Sequence, residues 1–361
     1  MTTTATIGQT PRIDRYPAYV YDLPALRDHM AQIRQHLKGI EIYYAVKANP
    51  DVELLRVLHD YVDGFEVSSG GELSHVQAHF PDKPLALSGP GKTDAELSSP
   101  GVTRLHVESI GELQRLIDSG RSADILLRVN LALPVEGASL TMGGGATPFG
   151  MDPDTVNEAM TLLSAQDAVR VHGIHAHLAS GLDAPHMLKL AAEILAYARS
   201  HGFSEINLGG GMAVSYADPG KRFDWQMYGE GLRELRQSGE VLRIEPGRSI
   251  TVYCGEYVVQ VIDVKRVHGE SFAIVTGGTH HIRTPATKNH DQPVVITGED
   301  EDEPVTLVGQ LCTPKDTLSR RVHINVKPGD VVRFAMAGAY AWNISHHDFL
   351  MHPHPEFHYI R

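Results

Sequence analysis

Cysteine is nearly missing: Cys254 and Cys312 are the two among 361 residues. Two cysteines build no disulfide framework, and their scarcity fits a reducing cytoplasm. No apolar run approaches the length of a membrane span, which argues against a transmembrane protein. The opening stretch MTTTATIGQTPRIDRYP lacks a basic region followed by an apolar core, so no secretory signal is read there. Positive charge is short as well. Lys and Arg number 32 against 44 Asp and Glu, a formal net charge of −12 that speaks against a nucleic-acid partner. There is no internal repeat and no low-complexity tract; GEDEDEP (298–304) reads as a solvated acidic loop. Histidine is the one excess. There are 21, and five fall in HHDFLMHPHPEFH near the end.

What is present is an alternation. From residue 41 to about 250, eight strand-like runs recur: IEIYYAVK, GFEVSS, LALSG, RLHVES, DILLRV, VHGIHAHL, EINLGG and VLRIEPG. Between them lie stretches with apolar residues at helical spacing, such as DVELLRVLHDYV, IGELQRLIDSG and APHMLKLAAEILAYARSHG. Ser109 and Glu112 form a capping-box pair at the start of IGELQRLIDSG. Eight strands alternating with helices is the count that closes a parallel barrel. After Ser249 the pattern turns β-rich, with TVYCGEYVVQVIDVKRV, SFAIVTGG, QPVVITG, EPVTLVGQLC, RVHINV and DVVRFAMAGAY. The expected fold is α/β: a (β/α)8 barrel over residues 23–248 and a β domain from 1–22 and 249–361. That second domain is expected to be an antiparallel barrel or sandwich that also takes the N-terminal strand YPAYVYD.

Reactive groups of such barrels gather at the C-terminal strand ends. Read in order, those ends carry Lys47, then Glu66 with Ser68, Ser88, Arg128, His177 with Ser180, Gly209 to Gly211, and Glu245 with Gly247 and Arg248. Glycine runs let backbone N–H groups approach an anion, and arginine adds charge, so LGGGM and EPGRS read together as a phosphate cradle. A phosphate site, a lysine able to form a Schiff base and an acid for a pyridinium nitrogen together point to pyridoxal 5'-phosphate (PLP).

The chain resembles the barrel-type PLP-dependent amino-acid decarboxylases of the alanine-racemase fold, over nearly its whole length. YAVKAN resembles the Schiff-base motif, which makes Lys47 the cofactor lysine. HAHLASG resembles the segment whose histidine stacks on the pyridine ring, here His177, with Ser180 near the phosphate. LGGG and EPGR match the phosphate and pyridinium motifs, and GAY matches the motif whose tyrosine, Tyr340, reaches the phosphate. GQLC matches the segment whose cysteine, Cys312, crosses a homodimer interface to act on the substrate α-carbon, so the resemblance implies a composite active site. Two positions depart from the family: Pro148 stands where lysine is more usual, and Ala179 replaces a common glycine. Glu245 favours decarboxylation over racemisation, because a carboxylate beside the ring nitrogen keeps it protonated and a strong electron sink. Racemases of this fold place an arginine there.

The substrate end also departs. Relatives acting on basic amino acids carry an acid directly after the cysteine, whereas here Thr313, Pro314 and Lys315 follow Cys312, with Asp316 beyond. Arg283, Lys315, His281 and His346, with Thr313, make a neutral-to-basic lining suited to a substrate whose far end is anionic or acylated. The tail GAYAWNISHHDFLMHPHP resembles that of siderophore-pathway decarboxylases acting on citrate-linked amino acids, citryl-diaminopropionate or O-citryl-serine. No metal is expected. The alternatives are a decarboxylase of the ornithine, diaminopimelate or carboxynorspermidine type, and a non-catalytic relative serving as a binding partner.

Overall fold

The structure, a computed structural model, describes residues 11–134, 137–295 and 303–361. The expectations placed on residues 1–10, on the end of QPVVITG and on residues 298–302 of the acidic loop lie outside those residues. In chain order the first elements are β1 (Ala18–Asp22), α1 (Leu23–His36), β2 (Glu41–Ala45), α2 (Val52–His59), β3 (Gly64–Val67), α3 (Gly70–His79) and β4 (Leu85–Leu87). Next come α4 (Asp94–Leu97), β5 (Arg104–Val107), α5 (Ile110–Asp118), β6 (Ala123–Arg128), β7 (Leu140–Thr141), α6 (Pro153–Leu163) and β8 (Val169–His175). They are followed by β9 (Ala179–Ser180), α7 (Ala184–Ser200), β10 (Glu205–Asn207), α8 (Trp225–Leu235), β11 (Val241–Ile244) and α9 (Arg248–Thr251). The last strands are β12 (Gly255–Val267), β13 (Glu270–Val275), β14 (Val305–Val308), β15 (Thr317–Val322), β16 (Val331–Phe334) and β17 (Glu356–Ile360).

The chain divides into two compact units. One comprises His29–Ala213 and Phe223–Gly247; the other comprises Met1–Asp28, Val214–Arg222 and Arg248–Arg361. The segment 214–222 therefore groups with the second unit, although the sequence places it inside a barrel of 23–248.

The first unit is a closed parallel barrel in the order β10-β11-β2-β3-β4-β5-β6-β8, with the β11–β2 pairing as its closure. All eight strands expected from the sequence are its staves. The helices start where side-chain caps allow. Asp51 accepts the N–H groups of Glu53 and Leu54, and α2 then buries Leu54, Leu55, Val57 and Leu58. Asp152 with Pro153 starts α6, and Asp183 starts α7. Ser109 accepts the Glu112 N–H as expected. The full reciprocal box is found instead at Thr93 and Glu96, because the Glu112 carboxylate pairs with buried Lys92 at 2.9 Å. At the strand starts Arg243 donates to Glu41 and Glu205, and Arg104 joins Glu205.

The second unit holds a seven-stranded sheet in the order β15-β14-β13-β12-β1-β17, with β16 also on β12. β1 joins this sheet, antiparallel to β12. The sheet is mixed, where the sequence suggested antiparallel throughout: β1–β17 and β13–β14 are parallel. Parallel neighbours need long connections, and both pairs have them. RVHINV is a strand only at its start. β15 begins earlier, at Thr317, and Arg321 adopts φ 50°, which breaks the regular alternation.

Candidate active site

The barrel interior is polar at its strand ends, where a purely structural barrel stacks branched apolar side chains. Lys47 follows β2 in a short 3-10 turn. Its Nζ donates to Glu66 Oε2 at 2.6 Å and lies 3.3 Å from Ser68 Oγ. Glu66 is fully buried at the end of β3, and it also accepts from Ser68 and Ser88. Burial pushes the Glu66 carboxyl up, but the Lys47 charge and the hydrogen bonds from Lys47 and Ser88 outweigh it. The net position is below the usual carboxylate value. The lysine is about four-tenths exposed, so an ionised anchor holds an accessible amine.

On the stave next to β2, Glu245 follows β11 and is 6% exposed. Asn207 Nδ2 donates to its Oε1 at 2.7 Å. His175 Nε2 lies 3.1 Å from Oε2, near enough for a charge-assisted contact but out of hydrogen-bond alignment. His177 accepts the Gly210 N–H on Nδ1 at 3.1 Å, which leaves its proton on Nε2. Burial, reinforced by the positive charges of Arg128 and Lys47, lowers the His177 pKa to about 4. The ring is therefore neutral at physiological pH.

Gly209 takes φ 66° and Gly211 φ 110°, a region where a side chain is strained. A Cβ on Gly209 would meet His177 Cβ at 2.6 Å, and one on Gly211 would meet the Ala179 carbonyl oxygen at 2.1 Å. Close approach thus explains the glycines. Two of the three N–H groups face inward, Gly209 to Asn207 and Gly210 to His177. The backbone cradle read from the sequence therefore does not use those two donors. Gly247 packs on Ala45 and Ala48. Ser180 lies in β9, paired with β7, and its carbonyl accepts from Ser139. Arg128 donates to buried Glu108 at 2.7 Å and sits over Phe149.

The second unit carries the remaining candidates. Arg248 donates to Tyr216 Oη at 2.9 Å, and its guanidinium lies 4.5 Å from the ring centroid of Tyr340, which has φ 49°. Cys312 is an exposed free thiol. The Thr313 N–H donates to the Leu311 carbonyl, and its Oγ1 lies 3.3 Å from the Lys315 N. Lys315, Arg283 and His346 are exposed. Arg283 donates to the Ile344 carbonyl at 3.2 Å, and His346 touches the Phe349 ring. His281, grouped with these in the sequence reading, is 1% exposed and packed against Tyr257, His280 and Trp342. Its ring does not open to solvent.

Sequence reasoning missed His106, His175, Asn207 and Glu108. They lie inside or just after strands, where an inward histidine or asparagine looks the same as an outward one. Alternation with the buried neighbours Val107 and Ile174 was the usable signal.

The residues present fit PLP. A lysine amine, a neutral imidazole and a buried carboxylate flanked by neutral donors converge in one barrel, and that carboxylate calls for a cation such as a protonated ring nitrogen. Comparison with known proteins decides the family: residues 23–252 match the model of the pyridoxal-dependent decarboxylase pyridoxal binding domain. The chain belongs to the pyridoxal-dependent decarboxylases. This decarboxylase is 41% identical to 2-[(L-alanin-3-ylcarbamoyl)methyl]-2-hydroxybutanedioate decarboxylase of Staphylococcus aureus, over 95% of this chain and 93% of that one. It is 30% identical to the L-glutamyl-[BtrI acyl-carrier protein] decarboxylase of Niallia circulans, over 94% and 87%. Its fold matches the crystal structure of diaminopimelate decarboxylase from Helicobacter pylori complexed with L-lysine, with a TM-score of 0.88 and 24% identity over 96% and 92% of the chains. The enzyme is a carboxy-lyase and its cofactor is PLP. Among the described residues no helix is long and apolar enough to cross a membrane.

Proposed function

We propose that this decarboxylase removes the α-carboxylate of an amino acid already joined to citrate, in siderophore assembly. Asp316 carries the reading. It is the first carboxylate after Cys312, and it is 2% exposed. Its Oδ1 accepts the N–H and hydroxyl of Thr279, and its Oδ2 accepts the Leu311 N–H. A carboxylate committed to those groups does not meet a distal ammonium, and Thr313 and Lys315 offer donors where basic substrates need acceptors. The Staphylococcus aureus relative supports the same reading, since its named substrate is a citrate amide of an alanin-3-yl group.

In this reading Lys47 binds the cofactor aldehyde and Glu66 orients the lysine. His177 would pack on the cofactor ring, Glu245 would hold its nitrogen, and Arg128 would border it. Gly209, Gly210, Gly211, Gly247 and Ser180 of the barrel unit would border the phosphate. PLP, when bound, supplies the sink for the electron pair left as carbon dioxide departs. The protein orients the cofactor and delivers a proton to the substrate α-carbon from the Cys312 thiol of a second subunit. Arg283, Lys315 and His346 receive the citrate carboxylates. The enzyme works as a cytoplasmic homodimer.

Carbon dioxide release over a panel of free and citrate-linked amino acids tests the reading. A citryl-diaminopropionate or O-citryl-serine should lead the panel. Equal turnover of free diaminopimelate would discard the reading.

A further inference from the structure

Beside Glu245 the barrel interior holds two histidines where apolar filling is the norm. His106 on β5 is fully buried, and His175 at the end of β8 is 2% exposed. Their rings stack with centroids 4.2 Å apart and planes 21° from parallel. Both nitrogens of both rings lack a hydrogen-bond partner. His175 Nε2 is 3.1 Å from Glu245 Oε2, and His106 Nδ1 is 3.9 Å from Oε1. Burying four unsatisfied nitrogens is unfavourable, so the pair needs a reason to be there.

A metal ion is the first candidate, since the three side chains offer ligand atoms within 4.8 Å of one another. The stack excludes it. An imidazole ligates in its own ring plane, and two near-parallel stacked planes share no point close to the carboxylate. The second candidate is a pair of protonated histidines neutralising Glu245. Burial works against that for both rings, with His175 adding to the effect on His106, and Arg128 and His177 adding to it on His175. The negative charges of Glu245 and Glu66 pull the other way on His106, and Glu66 does so on His175, yet both rings end well below the ordinary histidine value.

A neutral ring has a different use. It can give Glu245 one N–H without bringing a positive charge to compete with the cofactor. We propose that His175 is a positioning residue that holds the Glu245 carboxylate toward the PLP ring nitrogen, and that His106 fixes the His175 ring by stacking. The inference rests on the reading of Glu245 as the partner of that nitrogen. Asn207 fixes Oε1 and His175 fixes Oε2, so the carboxylate plane is set from two sides and the charge stays available. A small rotation of His175 brings its contact into line, as site hydrogen bonds often tighten only when the site is filled.

The test uses apoenzyme and two probes: PLP, and its 1-deaza analogue, in which carbon replaces the ring nitrogen. Each is titrated into wild type, Glu245→Gln, His175→Leu, His175→Gln and His106→Leu, with apoenzyme thermal midpoints recorded alongside. His175→Leu should weaken PLP about ten-fold and leave the analogue nearly unchanged, since the lost interaction acts through the ring nitrogen. His175→Gln keeps an N–H donor and should recover most of the affinity, while His106→Leu should show the same contrast in weaker form. Should His175→Leu not fold, His106→Leu carries the comparison. Equal weakening of both probes, or none, overturns the positioning role. If Glu245→Gln itself treats the two probes alike, the assignment of Glu245 to the ring nitrogen falls, and the inference with it. If Glu245→Gln discriminates and His175→Leu does not, the inference alone fails.

Discussion

Asp316 accepts the backbone N–H of Leu311 at 2.8 Å, one residue before Cys312. The acid that could have recognised a distal amine instead ties the start of the cysteine segment to Thr279. A substrate ammonium placed near Thr313 would lose its hydration without gaining a counter-charge, a mismatch costing several kcal/mol and about 10²-fold or more in specificity. Ornithine, lysine and diaminopimelate should therefore be poor substrates beside a citrate-linked amino acid. Arg283→Ala should raise KM for the citryl substrate by roughly ten-fold, the worth of a charge-assisted pair of about 1.5–3 kcal/mol less its exposure. Cofactor absorbance should hold. An unchanged kcat/KM in Arg283→Ala would remove Arg283 from the substrate site.

Lys47→Ala should abolish turnover together with the long-wavelength absorbance of the bound cofactor. The lysine is the amine held beside ionised Glu66, and its loss removes the covalent tether. Glu66 keeps the donors Ser68 and Ser88. The apoenzyme should accordingly still fold, which circular dichroism reports. Carbon dioxide release near the wild-type rate would show that another residue carries the aldehyde.

Mixing inactive Lys47→Ala and Cys312→Ala chains should restore part of the activity. Lys47 belongs to the barrel unit and Cys312 to the other unit. If the thiol serves the neighbour's site, each hybrid dimer contains one intact centre. Up to about a quarter of wild-type activity is expected: half the dimers are hybrids after random exchange, each with one working site of two. No recovery after demonstrated subunit exchange would mean that each site is built within one chain.

The barrel was legible because each strand is a short, mostly apolar run between capped helices, and a closed count of eight leaves no edge. α1 and α8 were passed over: LPALRDHMAQIRQH follows directly on a strand without a turn between, and the glycines of WQMYGEGLREL weaken its helical reading. β17 was hidden among histidines, and only its pairing with β1 makes EFHYI a strand. The site was half legible. Residues at strand ends stand next to glycines and turns, where a polar residue draws notice. His106 and His175 are inside strands, and nothing in one sequence tells that their rings stack in the barrel interior from β5 and β8, two staves with β6 between them.

Acid should destabilise the protein from about pH 6.5 downward, before most carboxylates titrate. Burial lowers the pKa of His177 to about 4, helped by Arg128 and Lys47. It lowers His280 to about 4 and His281 to about 3, with neighbouring histidines adding to the effect. The unfolded chain then binds protons that the folded chain refuses, so stability is complete above the ordinary value of 6.5 and is lost as pH falls through the window toward 4. Each such histidine contributes a slope of at most about 1.4 kcal/mol per pH unit there. Chemical denaturation of the apoenzyme at pH 7 and pH 5 measures the loss, and His280→Leu should make it shallower. A flat profile between those two values, in wild type, would show that these rings take up protons as readily folded as unfolded.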